Sequence, residues 1–230
     1  MTAVDALAPA RVRPAGSSRV TSALLTGGIV AGPLFVVVSL TQALTRDGFV
    51  LTRHAWSVLA NGDLGWIQIA NFLVTGTLLV GFSRGLRRAW TAGPGHVWAP
   101  RLLAVNGLGM IAAGLLTADP SLGFPVGTPV DYRAISWHGI GHMVAAMIAF
   151  LAVFACSLVL ARRFAAQGRR GWAVASRGVG VGFLTTFVAL SASAGHPAAV
   201  VGFTVGVIVL MGWLAAVAAL VRRDQDRGAN

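Results

Sequence analysis

The sequence predicts an all-α polytopic membrane protein, a bundle of six transmembrane helices with both termini in the cytoplasm. Three observations carry that prediction. Of 230 residues, 56% are hydrophobic and 11% charged, and the mean hydropathy is +0.74, more apolar surface than one soluble core can hide. Most of the chain falls into apolar runs of about 20 residues, the length a helix needs to cross a ~30 Å hydrocarbon layer. All 18 basic residues are Arg, and they cluster between those runs.

Residues 1–20 are polar, rich in Pro, Ala, Ser and Arg, and lack apolar periodicity, so they read as a disordered cytoplasmic tail. The transmembrane domain then occupies 21–221. Its first run, 23–44, exceeds a signal-peptide core and has no small-residue cleavage site, which makes it a retained span. The further spans are 64–86, 101–118, 137–161, 172–194 and 198–221, followed by a cytoplasmic tail at 222–230. On this division fifteen Arg lie on the side of the two termini and only Arg46, Arg53 and Arg133 on the other. The positive-inside rule therefore orients the chain in a bacterial inner membrane with both ends in the cytoplasm.

The net charge of +11 belongs to this topology signal, and no nucleic-acid partner follows from it. The one cysteine, Cys156, has no partner for an internal disulfide and reads as a small buried apolar residue. Glycines four apart, Gly28 with Gly32, Gly178 with Gly182 and Gly202 with Gly206, offer faces on which helices approach closely. These faces suit packing inside the bundle, a second copy of the chain or a membrane partner subunit, and lipids are the remaining partner.

Polar side chains gather on the outer side. Two histidines four apart, His138 and His142, share one face of the fourth helix about 6 Å apart along its axis, within reach of one metal ion. Asp119 ends the third span, where the negative end of the helix dipole disfavours a carboxylate unless a cation compensates it. Arg53, Arg133 or a metal are the candidates. The segment 51–59 reads as a short interfacial helix carrying His54 and Ser57, with Trp56 and Trp66 as interface anchors. His196 precedes Pro197 at the start of the sixth span and suits a cap or a further ligand. In the second span Gln68, Asn71 and Thr75 share a face as interhelical hydrogen-bonding glue.

The order Arg53-His54-x-x-Ser57-x-Leu59, Gly65-Trp66, Asn71-Phe72, Ala118-Asp119-Pro120 and His138-x-x-x-His142 resembles the domain-of-unknown-function 998 family of six-helix bacterial and archaeal membrane proteins. The resemblance runs from about residue 23 to about residue 221 and implies six helices and a shared outer polar site, without an activity. More distantly, Ser, Asp and a His-x-x-x-His pair on membrane helices resemble zinc-dependent membrane amidohydrolases related to alkaline ceramidases and adiponectin receptors. Those have seven helices with the His pair on the last, whereas here it is on the fourth of six.

Two classes of function are open to this cluster. In one, Asp119, His138, His142 and His196 hold zinc, whose water attacks a lipid-like amide or ester, with Ser57 and His54 as catalytic partners. In the other, the chain is a non-catalytic membrane protein, transporter-like or an accessory subunit, and the same residues form structural polar pairs. Two His on one helix at this spacing cannot take opposite axial positions on a haem.

Overall fold

A computed structural model describes residues 15–132, 134–193 and 195–228. It is all-helical: α1 (Ala15–Thr45), a 3-10 turn at Trp56–Ala60, α2 (Gly65–Ala89), α3 (Trp98–Leu115), α4 (Trp137–Ala166), α5 (Arg170–Ala192) and α6 (Pro197–Arg227). Five of these, all but α3, are long and apolar enough to cross a membrane. With 18 residues α3 is the shortest. Each helix packs on its neighbours in sequence, and α6 returns to α1, so the six close into a ring.

Helix α1 starts eight residues before the expected position, at Ala15, and the remainder of the expected N-terminal tail lies outside the described residues. Helix α3 is displaced from the expected 101–118: it begins at Trp98 and stops at Leu115. Asp119 therefore lies beyond the helix rather than at its end, and the dipole argument attached to it changes.

Where lipid supplies no hydrophobic drive, close backbone approach holds helices together. Helices α2 and α3 cross at Gly76 and Gly107, where a Cβ on Gly76 would sit 2.5 Å from the Gly107 carbonyl and one on Gly107 2.7 Å from the Gly76 carbonyl. Gly28 lies against the Phe82 ring of α2 and Gly32 against the Met211 carbonyl of α6. Gly206 meets Thr186, while Gly178, Gly182 and Gly202 meet nothing within 4 Å. The expected glycine faces thus divide, some packing the ring and some facing outward.

Polar glue joins α1 to α2 as the sequence predicts. Gln68 accepts from Gln42 Nε2 at 2.8 Å and bonds Ser39 Oγ at 3.1 Å, while Asn71 Nδ2 donates to the Phe35 carbonyl at 3.2 Å. Thr75 closes the row on Asn71 at 3.5 Å. All of these side chains are buried. Cys156 is also fully buried, as a small core residue.

Segment 51–59 differs from the expected interfacial helix. It folds inward, with His54 1% and Trp56 6% exposed, and Trp56 stacks at an angle on Phe35. Its apolar face finds the bundle because Arg46 donates to the carbonyls of Leu59 and Asn61 and lies over the Phe124 ring, tying the segment to the end of α1. Trp66 is 64% exposed, consistent with an interface anchor.

Candidate functional site

Four of the expected site residues hold one loop, the connection from α3 to α4. The end of α3 leaves carbonyls without intrahelical donors. His142, one turn into α4, donates Nδ1–H to the carbonyls of Ala113 at 2.8 Å and Leu116 at 3.0 Å. His138 donates Nδ1–H to the Thr117 carbonyl at 2.9 Å. A carbonyl only accepts, so in both rings the proton is on Nδ1.

Asp119 works on the opposite pole. Its carboxylate accepts from the Ser136 hydroxyl at 2.6 Å and from the Ser136 amide at 3.0 Å, and Ser136 Oγ in turn accepts from the Gly139 amide at 2.9 Å as the N-cap of α4. Gly139 is the residue that admits the carboxylate, since a Cβ there would overlap Asp119 Oδ2. Among the described residues the compensation that Asp119 needs comes from the positive end of the α4 dipole. Arg133 lies outside the described residues. Burial alone would raise the Asp119 carboxyl; the Ser136 hydroxyl and amide, with His138 and His142 nearby, outweigh it and hold it below the usual carboxylate value.

His54 grips the same loop from the other side. Its Nδ1 accepts from the Val50 amide at 2.9 Å and its Nε2–H donates to the Leu122 carbonyl at 3.1 Å, with the ring between those of Phe49 and Phe124. Burial pushes the imidazole below its ordinary pKa, against the opposing pull of the Leu122 bond, and Arg53 lowers it further. Both ring nitrogens are engaged, so His54 presents no free lone pair. Asn61, not singled out by the sequence, adds a bond from Nδ2 to the Ala118 carbonyl at 2.9 Å.

His196 is exposed and caps α6, accepting from the Ala198 amide at 3.3 Å. Among the described residues no group of three or more His, Cys, Asp or Glu comes together that could hold a metal ion. The donor set does not fit the zinc centre that the amidohydrolase likeness implies: Asp119 is engaged with Ser136, His54 on both nitrogens and His196 in its cap.

Ser57 and His142 instead border a cavity of about 470 Å³ in the middle of the helix ring. All six helices contribute to its wall, among them Phe35, Phe72, Met110, Phe150, Phe183, Phe203 and Met211. That volume is in the ~300–1,000 Å³ range of small-molecule sites. The polar members of the wall are few: Ser57, Asn106, His142, Ser191 and Thr204, with the indole of Trp56. Trp56 Nε1 and Asn106 Oδ1 are buried without a hydrogen-bond partner. The wall also includes Met143 and Met147, 64% and 48% exposed on the outer face of α4, so the cavity reaches the side of the bundle. No periodicity in the sequence marks this cavity, because its lining is assembled from six helices and the segment around Trp56.

No curated protein and no solved structure matches the chain significantly. The family model described as "Protein of unknown function (DUF998)" matches residues 29–222, which includes α2 to α5, most of α6, the second half of α1 and the connection from α3 to α4. Over that extent the chain belongs to the DUF998 family of proteins of unknown function.

Proposed function

We propose that this is a non-catalytic membrane-embedded binding protein that takes an apolar or amphipathic molecule into the centre of its helix ring. The observation that carries the reading is the cavity: about 470 Å³, walled by aromatic and Met side chains, with a lateral margin at Met143 and Met147. The outward faces of the membrane helices are apolar, so a molecule dissolved in the lipid layer reaches that margin without crossing water. Hydrolysis is less well supported, because Asp119, His138, His142 and His54 all have structural partners. The Arg asymmetry supports an inner-membrane location with both termini cytoplasmic, which places the cavity in the outer half of the bilayer. The open glycine face at Gly178 and Gly182 on α5 suits lipid or a second copy.

The test is binding of an environment-sensitive hydrophobic dye, N-phenyl-1-naphthylamine, to the protein in nanodiscs. Wild type should show saturable binding above the lipid background. Ala146→Phe, which places a ring in the cavity wall, should abolish it while thermal unfolding remains cooperative. Equal dye binding by both proteins would refute the reading. Reporter fusions after Arg88 and Arg170 should report cytoplasm and one after Gly127 the outside; the reverse would move the cavity to the inner half.

A further inference from the structure

The cavity's wall is apolar almost throughout, yet its one imidazole is held in a single protonation arrangement. His142 is 6% exposed and borders the cavity, and its Nδ1–H is directed away from it, to the carbonyls of Ala113 and Leu116. With the proton on Nδ1, Nε2 carries a lone pair, and the hydrogen bonds that His142 makes among the described residues all run through Nδ1. The ring cannot turn over to hide that lone pair without releasing two carbonyls at the end of α3, and a buried polar group without a partner is costly. The Phe72 ring stands edge-on at 6.2 Å, which fixes the imidazole from the α2 side.

We infer that the cavity selects a neutral amphiphile whose polar head is a hydrogen-bond donor, a long-chain alcohol in chemical class, with the head on His142 Nε2 and the chain among the Phe and Met side chains. This rests on the binding function proposed above and adds the chemistry of the head. The supporting polar groups fit a hydroxyl, which both donates and accepts: Ser57 and Thr204 border the same space, and the wall residues Trp56 and Asn106 carry an unpartnered donor and acceptor. Among the described residues no Arg or Asp borders the cavity, so a carboxylate or an ammonium head would enter without a counter-charge. Size also fits, since the wall runs from Ser57 and Ser191 at one end of the bundle inward to Asn106 and Met211, leaving length for an alkyl chain beyond the head.

The experiment is displacement of N-phenyl-1-naphthylamine from the protein in nanodiscs by 1-dodecanol, 1-fluorododecane and dodecanoate at equal mole fraction in the bilayer. The first two share chain and shape and differ in the donor. One hydrogen bond in this setting predicts that the alcohol displaces dye about five- to tenfold more effectively than the fluoride, with the carboxylate no better than the fluoride. In His142→Phe the alcohol and fluoride should become equal, each read relative to that variant's own dye occupancy. Wild type binding dye but treating alcohol and fluoride alike would overturn the head-group assignment and leave the binding function standing, and so would a preference for dodecanoate. Should His142→Phe fail to fold, the wild-type alcohol-to-fluoride ratio still decides. A preference for the alcohol that survives in a folded His142→Phe would overturn the role of His142. Absence of any saturable dye binding would remove both proposals together.

Discussion

Removing the hydroxyl at Ser136 tests the clasp between α3 and α4 most directly. Ser136 Oγ donates to Asp119 at 2.6 Å and accepts from the Gly139 amide at 2.9 Å, so Ser136→Ala deletes an N-cap and one bond to a carboxylate at once. Loss of an N-cap costs about 0.5–2 kcal/mol, and a hydrogen bond to a charged group about 1.5–3 kcal/mol when well buried. Asp119 is only half-buried, which scales the second figure down, and its bond to the Ser136 amide survives the substitution. The expected total is therefore about 2 kcal/mol. The assay is reversible unfolding in mixed micelles for wild type, Ser136→Ala, Asp119→Ala and the double variant. If the two side chains share the hydroxyl–carboxylate bond, the double variant should lose less than the sum of the two single losses by about 1 kcal/mol, since additivity fails for groups in contact. Additive losses would refute the clasp. So would a neutral Ser136→Ala together with stability that a chelator lowers, because that pattern belongs to Asp119 as a metal ligand.

The folded-state pKa of Asp119 lies below its unfolded value, so the stability it contributes is fully present above about pH 4 and is lost as pH falls through the folded value; Asp119→Asn should remove that acid-side loss in a pH series of unfolding. His54 is likewise depressed, which makes its neutral form the folded one: stability is complete above about pH 6.5 and declines as pH falls from there to the folded value. His54→Phe should be less stable at pH 7.5 yet show a shallower decline through that window, and an unchanged slope would contradict the assignment. Gly107→Ala forces a Cβ against the Gly76 carbonyl and should cost about 1–3 kcal/mol, whereas Gly178→Ala, facing open space, should be neutral within about 0.5 kcal/mol in the same assay. Gln68→Leu leaves Gln42, Asn71 and Ser39 short of a partner and should cost about 1–2 kcal/mol, more than Gln42→Leu, whose Oε1 is already unpartnered; the reverse order would mean that the network is not organised around Gln68.

Much of the architecture could be read along the chain because a membrane imposes it locally. An apolar run of about 20 residues has few alternatives to a helix when its backbone groups must be satisfied without water, and five of the helices meet the criteria of a membrane span. The same one-dimensional reasoning found the inward face of Gln68, Asn71 and Thr75 and the capping position of His196, since both follow from helical spacing and from neighbouring Pro197. Helix ends were less legible: α3 stops at Leu115, four residues before Asp119, because His138 and His142 from α4 accept the role of capping its last carbonyls.

What the chain could not disclose alone is which partner each polar side chain meets. His138 and His142 at i and i+4 look the same in sequence whether they face a metal or two carbonyls. The choice depends on where α3 ends relative to α4, a contact between residues more than 20 positions apart. Asp119 is unfavourable at the end of α3 and favourable at the start of α4, and only the tertiary packing, admitted by Gly139, decides which dipole it feels. Segment 51–59 reads equally well as lying on a membrane or under a helix ring, because its apolar face needs only something apolar to cover it. The ring supplies that cover, and by closing α6 on α1 it also encloses a cavity to which every helix adds at least one residue. Helical period is a property of single segments, whereas a cavity exists only between them.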